Sequence, residues 1–349
     1  MTDDTQRIYP DITDDLAVIQ EAFGLGILNA EDLTYLPAGM MNRNWRVRTG
    51  RGTYALKQIL DVPLDMARRN LRVQAMLAVD GVPACVPEMS IGGDIVVEAA
   101  GRGYCLLPWA KGSHLPGPEL SLEQAGRLGK LAGHIHHRLN SLPPGSGLAR
   151  VTAAPRSKVT GQSAAIAEAD RYLRLISSLE VRLPFDVTVA ELLEQRKILL
   201  QEYGERRPAS DSPAGPAGWT HGDLQYRNLL WHDGEIAAVL DWDRIQVRTF
   251  AEEVTRTAMV QFMSEEGLLD LERVSAFVAG YRHLIPLRSE EVADGLDRLW
   301  WRRMTSFWQL DFHYNRGNRG AAELVVPTER LLAWCAEHRE EVAAAFTAI

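Results

Sequence analysis

His221-Gly222-Asp223-Leu224-Gln225-Tyr226-Arg227-Asn228, followed after ten intervening residues by Val239-Leu240-Asp241-Trp242-Asp243, is the stretch whose spacing decides how this chain reads. Phosphoryl transfer needs a carboxylate beside the attacking hydroxyl and oxygen ligands for the magnesium ion that bridges the phosphates. An Asp, an Asn five positions on and an Asp at a strand end meet that need. Asp223 reads as the base, and Asn228 and Asp241 as metal ligands. Between them, Asn228 to Trp231 and Ile236 to Leu240 are short apolar strands joined at His232-Asp233-Gly234, a strong hairpin signal. The 18 residues from Asp223 to Asp241 suffice for a loop, one hairpin and a return to the same cleft. In the plainer reading His221 and Asp223 cap a turn while Asn228 and Asp241 begin and end strands; it accounts for each residue singly but not for the full spacing.

Upstream, Pro10 to Phe23 reads as a helix with Leu16, Ile19 and Phe23 on one face. The β-like runs Leu33 to Pro37, Trp45 to Thr49 and Tyr54 to Leu60 follow, separated by Gly-containing turns, and predict an antiparallel meander. Residues 63–80 are helically periodic, and Ile95 to Glu98 and Tyr104 to Trp109 complete a sheet of about five strands. Beyond Lys111 the segments 121–139, 160–179 and 186–203 are long and helically periodic, and helices return from about residue 251. The expected class is α+β, with a sheet-plus-helix domain over residues 1–108 and a mainly helical domain over residues 109–349. Between Gly204 and Gly218 the Pro, Ser and charge content predicts a mobile loop.

HGDLQYRN followed by VLDWD resembles the catalytic loop and metal-binding aspartate of the aminoglycoside phosphotransferase and choline kinase-like enzymes, distant relatives of protein kinases. The resemblance implies a bilobal protein-kinase-like fold, a small antiparallel-sheet N-lobe and a larger, mostly helical C-lobe, with ATP between them and Mg²⁺ as its metal. It assigns Asp223 as catalytic base and Asn228 and Asp241 as magnesium ligands, in agreement with the spacing argument. Tyr54-Ala55-Leu56-Lys57 resembles the V-A-I-K strand of kinases, which points Lys57 at ATP phosphates. Gly39 to Trp45 resembles the family's nucleotide-covering hairpin, bringing Gly39 and Asn42 to the cofactor, and Leu106 to Ala110 falls where such kinases bind adenine, bringing Leu107 and Trp109. Leu128 to His136 resembles the family's LGxxLAxxH packing helix, so His134, His136 and His137 read as structural. One departure stands out: residues 63–80 contain no Glu to pair with Lys57, leaving Gln74, Asp65, Asp80 or Glu88 as substitutes.

The net charge of −8 argues against a general nucleic-acid binder. No apolar run approaches the ~20 residues of a membrane span, and nothing near the N-terminus has the order of a signal peptide, so a cytoplasmic location is expected. Cys85, Cys105 and Cys335 have no disulfide or zinc-site spacing. The expected reaction is transfer of the γ-phosphate of ATP to the hydroxyl of a small molecule. The aromatic run Leu299 to Tyr314, with Trp301, Thr305, Trp308 and Phe312 at helical spacing, reads first as core packing. In the functional alternative some of its rings, with Asp311, Glu252 or Glu253, line an acceptor pocket, and aromatic faces, carboxylates and an acidic composition suit a cation. Glu252, Glu253 and Asp311 are the carboxylates proposed to receive it. An amine-bearing antibiotic fits first, and an amino-alcohol metabolite of the choline or homoserine type second. The rival from another class is a nucleotide-binding pseudokinase, motivated by the missing helix Glu.

Overall fold

The computed structural model describes residues 12–37 and 41–347. In chain order the elements are α1 (Thr13–Phe23), β1 (Leu33–Leu36), β2 (Arg43–Thr49), β3 (Gly52–Ile59), α2 (Leu64–Val79), β4 (Val97–Ala99), β5 (Arg102–Pro108), α3 (Leu122–Leu139), α4 (Gln162–Ser177), α5 (Pro184–Glu202), β6 (Ala217–Thr220), β7 (Leu229–His232), β8 (Glu235–Val239), β9 (Gln246–Thr249), α6 (Phe250–Gln261), α7 (Leu271–Arg282), α8 (Ser289–Met304), α9 (Val325–Glu337) and α10 (Arg339–Thr347). The chain divides into two units. The first comprises Met1–Ser113, Leu142–Ala149 and Asn228–Ile245, and the second His114–Ser141, Arg150–Arg227 and Gln246–Ile349. This division does not follow a single linear boundary at residue 108, because the β7–β8 hairpin belongs to the first unit. Trp231 and Ser113 exchange backbone hydrogen bonds, and the Val239 N–H donates to the Pro83 carbonyl. Pairings across more than a hundred residues leave no mark in composition.

In the first unit five antiparallel strands run in the order β1-β2-β3-β5-β4. Side chains alternate across a strand, and β3 shows the result. Tyr54 and Leu56 join Ile19, Phe23, Trp45, Val47 and Leu106 in the core under α1. Ile59 joins Ala67, Leu71 and Cys105 in the core under α2. Lys57, two residues before Ile59, shares the α2 face. The β7–β8 turn places Asp233 and Gly234 at φ of 50° and 78°, the left-handed pair that a tight two-residue hairpin requires.

The second unit is built on helix packing. A reciprocal capping box opens α3: Ser121 Oγ accepts from the Gln124 N–H (3.1 Å) and Gln124 Oε1 accepts from the Ser121 N–H (2.9 Å). Glycines then bring α3 and α7 together, since a Cβ on Gly129 would stand 1.9 Å from the Phe277 carbonyl oxygen. Gly129 and Gly133, one turn apart, therefore encode close backbone approach. β6 and β9, which periodicity alone does not reveal, pair antiparallel through Ala217↔Thr249 and Trp219↔Val247.

Two expectations are corrected here. The segment 204–218 is tied down, for Arg298 of α8 donates to the carbonyls of Ser210 (2.8 Å) and Ser212 (2.9 Å), and the Ala214 N–H donates to Asp294 (2.8 Å). The aromatic run is not one helical face. α8 stops at Met304, and Trp308–Leu310 and Asp311–Asn315 follow as one short continuous helical stretch, α then π, in which the Trp308 and Phe312 rings meet at 5.5 Å. Trp301 is buried with its indole N–H on the Thr160 carbonyl, whereas Trp308 is exposed. No helix among the described residues is long and apolar enough to cross a membrane.

Candidate active site

In the first unit, charge gathers around Lys57. Only 8% exposed, its Nζ lies 2.7 Å from Asp241 Oδ1 and 2.6 Å from Asp243 Oδ2. Burial works against the ammonium charge, but the two carboxylates more than offset it and hold the Lys57 pKa above the ordinary lysine range. Asp243 is the partner that sequence reasoning missed. Its Oδ2 also accepts from Asn42 Nδ2 (2.8 Å), and its carbonyl accepts from Asn70 Nδ2 on α2 (2.6 Å). Of the expected substitutes for a helix Glu, Gln74 donates to the Cys85 carbonyl (2.6 Å), Asp65 faces solvent beside Arg68, and Glu88 meets Arg51. Asp80 caps the end of α2. The helix thus reaches the lysine cluster through Asn70, an amide bonded to backbone.

The turn carrying these carboxylates is fixed on several sides. The buried indole of Trp242 donates to the Val239 carbonyl (2.9 Å), and Arg244 forks onto Asp61 at 2.8 and 3.1 Å. Asp241 itself has φ 57° and ψ 65°, a left-handed conformation uncommon outside glycine and tolerated best by Asp and Asn. Across the hairpin, the Leu240 N–H donates to the Asn228 carbonyl (2.8 Å), which sets Asn228 beside the Leu240-Asp241 step. One carboxylate and one amide oxygen are hard donors of the kind magnesium takes alongside waters and phosphate oxygens. Among the described residues no group of three or more His, Cys, Asp or Glu is arranged to hold a metal unaided.

The other nucleotide candidates fall in the same unit. Gly39 lies outside the described residues. Asn42 is buried, and its Oδ1 accepts from the Leu60 (2.8 Å) and Asp61 (3.1 Å) N–H groups, so the structure uses its amide to tie β2, the end of β3 and Asp243 together. Leu107 pairs with Ala55 in β5. Trp109 follows, half exposed, with its N–H on the Thr53 carbonyl (3.0 Å) and the Arg46 guanidinium 4.9 Å over its ring.

In the second unit Asp223 sits in the loop after β6. Its Oδ2 accepts from Gln225 Nε2 (3.1 Å), its Oδ1 is ion-paired with Arg256 of α6, and its N–H donates to His221 Nδ1 (3.3 Å). Glu253, one turn earlier on α6 and buried, accepts from the Gly222 N–H (2.8 Å) and lies 3.7 Å from Arg248. Burial pushes the Glu253 carboxyl up, and Arg248 and Arg256 more than reverse this, leaving it below the ordinary glutamate range. A buried carboxylate thereby braces the backbone that presents Asp223. No local pattern signals Arg256 or Glu253, because both act across about thirty residues.

Beneath the same loop, His136 is structural, as the sequence suggested. It is buried, with Nδ1 2.7 Å from Tyr281 Oη and its ring stacked 5.1 Å from Phe250. Burial pulls its pKa down to about 4. The carboxylates proposed for a cationic acceptor are all engaged: Glu252 by Arg302, Glu253 by Arg248, and Asp311 by Arg316 (2.7 Å) and Asn315 (2.8 Å).

Comparison with known proteins establishes the family and the fold. A profile of the phosphotransferase enzyme family (APH) matches residues 32–288. A homoserine kinase of Methylobacillus glycogenes is 24% identical over 262 residues, 75% of this chain and 74% of that protein. Among solved structures, spectinomycin phosphotransferase APH(9)-Ia with ADP and spectinomycin superposes with a TM-score of 0.62 at 13% identity, covering 95% of this chain and 99% of that one. Amicoumacin kinase hAmiN with AMP-PNP, Ca²⁺ and its antibiotic gives 0.59 at 19% identity, covering 95% and 93%. The fold is kinase-like, as the sequence led one to expect.

Proposed function

The chain belongs to the phosphotransferase enzyme family and is a small-molecule kinase, and we propose that it moves the γ-phosphate of ATP to a hydroxyl of its acceptor with Asp223 as the base. The acceptor oxygen forms a bond to the γ-phosphorus, the bond from that phosphorus to the β,γ-bridging oxygen breaks, and ADP leaves. The hydroxyl proton passes to a carboxylate oxygen of Asp223. Gln225 and Arg256 hold that carboxylate in one orientation, and Glu253 holds the loop that carries it. Most of the acceleration in such reactions comes from alignment and charge compensation, so fixed geometry matters more here than base strength.

The observation that carries this reading is the double ion pair of Lys57. Two carboxylates share one lysine, and burial separates their duties: the Asp241 side chain is 37% exposed and that of Asp243 only 7%. Asp241 is therefore the one able to turn to a ligand, together with Asn228, while Asp243 retains the lysine for ATP phosphates. Asn228 and Asp241 would hold a magnesium ion, which would supply charge neutralisation of the phosphates. Asn42 positions Asp243, and Leu107 and Trp109 supply the adenine-binding edge. The absent helix glutamate motivated the pseudokinase reading, and Asp243 fills that role, so catalysis is the favoured reading.

Nucleotide complexes of spectinomycin phosphotransferase and amicoumacin kinase support ATP as donor, and the Ca²⁺ in the latter supports a divalent metal. Those two proteins act on antibiotics, whereas the Methylobacillus relative is named for an amino-acid alcohol. The arginine-engaged carboxylates Glu252, Glu253 and Asp311 favour the metabolite class over a polycationic antibiotic. The test is ADP release with Mg²⁺ over a panel of amine-bearing antibiotics, choline, amino alcohols and hydroxy amino acids, with Asp223→Ala as the blank. Acceptor-dependent turnover lost in a folded Asp223→Ala protein is the expected result; turnover retained by that variant would overturn the assignment.

A further inference from the structure

Around Asp223 the second unit gathers more positive than negative charge. Arg248 and Arg303 each lie within Coulombic range of both Arg256 and Arg302. Three carboxylates answer them: Asp223 pairs with Arg256, Glu252 with Arg302 and Glu253 with Arg248. Arg303 is left over. It is half-buried on α8, directly after the arginine that bridges to α6, and among the described residues its guanidinium has no hydrogen-bond or ion-pair partner. Arg256, whose Nη2 holds Asp223, keeps Nη1 buried without a hydrogen-bond partner. Burial and the neighbouring Arg256 and Arg302 push the Arg303 pKa down to about 10, still charged at neutral pH.

An unpaired guanidinium in a partly desolvated cluster is costly unless an anion meets it. From this leftover charge we infer that the acceptor is a hydroxy acid whose carboxylate docks on Arg303 and the free edge of Arg256, which sets its hydroxyl against Asp223. The inference rests on the kinase reading above and names its acceptor class. The cluster carries an excess of one positive charge, which suits a singly charged carboxylate better than a doubly charged phosphate. Guanidinium forks bind carboxylates with two parallel hydrogen bonds, which fixes orientation as well as affinity. A polycation, by contrast, meets four arginines here. Because Arg256 touches both ends of the arrangement, it couples acceptor docking to the orientation of the base.

The experiment pairs acceptors that differ only at the acid. L-homoserine, L-serine and 4-hydroxybutyrate are each assayed for Mg²⁺-dependent ADP release beside the matching primary amide, and binding of the same compounds is followed by calorimetry, which needs no turnover. The expected result is a preference of at least about a hundredfold in kcat/KM for one acid over its amide, as for a site whose buried polar groups are left unpaired by the wrong ligand. In Arg303→Gln, checked for folding by thermal melting, that preference falls at least about tenfold through KM more than kcat; Arg303→Lys recovers part of it. Turnover of amides, choline or antibiotics in preference to acids overturns the inference and leaves the kinase reading intact. The same holds for unaltered acid-over-amide preference in Arg303→Gln. Absence of both turnover and binding with every acid also overturns it, and absence of any acceptor-dependent turnover across the wider panel counts separately against the kinase reading.

Discussion

Lys57 Nζ lies 2.6 Å from Oδ2 of Asp243, a residue two positions beyond the expected metal ligand. Asp243 is in turn held by Asn42 and Asn70, so the lysine is placed by a network drawn from β2, α2 and the turn after β8.

Removing Asp243 leaves Lys57 with Asp241 as its remaining carboxylate and strips the buried Asn42 amide of its acceptor. Asp243→Ala is expected to destabilise the protein by about 1–3 kcal/mol, read from urea melts, and to raise the KM for ATP. Asp243→Asn, which keeps the shape and the contact with Asn42, is expected to lose less stability but still bind ATP more weakly. Unchanged KM for ATP in both variants would remove Asp243 from nucleotide handling.

Asp241 is assigned to the metal, and chelation is expected to abolish turnover, with activity returning on added magnesium. Asp241→Asn is expected to need at least about tenfold more magnesium for half-maximal rate, as charge is lost from a hard-oxygen site. An identical magnesium requirement in the variant and the parent would sink the assignment.

His136 supplies a pH dependence. Folded, it protonates at about 4 because burial disfavours its charge, against an ordinary value of 6.5. Between those values the unfolded chain binds the extra proton, so stability rises with pH through the window and is lost as pH falls from 6.5 towards 4. The size is about 3 kcal/mol at most. Urea melts from pH 4 to pH 7 are expected to show this slope, and His136→Gln to flatten it; equal slopes would assign the acid sensitivity elsewhere.

Gly129 tests the packing of α3 on α7. A methyl group there meets a backbone carbonyl, which cannot rotate away. Gly129→Ala is expected to cost about 1–3 kcal/mol despite the higher helix propensity of alanine. A thermal midpoint at or above that of the parent would show that the helices separate freely.

Much of the candidate site is proposed from residues close along the chain, because its spacing is short. Asp223, Asn228 and Asp241 lie within one loop and one hairpin, and the Asp233-Gly234 turn is a local signal whose φ values the structure reproduces. The strands and helices around Lys57 were legible for the same reason, since periods of two and 3.6 report burial within a few residues. β6 and β9 were not, because four-residue strands of mixed polarity acquire their identity only from each other.

By itself the sequence determined the family, the kinase-like class and the chemistry-bearing residue types, because these are written in local spacing and periodicity. Only the tertiary structure decided which charges meet: that Lys57 takes Asp243, that Arg256 holds Asp223, that Glu252, Glu253 and Asp311 are already matched by arginines, and that among the described residues Arg303 is not matched by a carboxylate. The physical reason is that an ion pair depends on distance and burial in space, and residues separated by tens to hundreds of positions carry no record of either in their order along the chain.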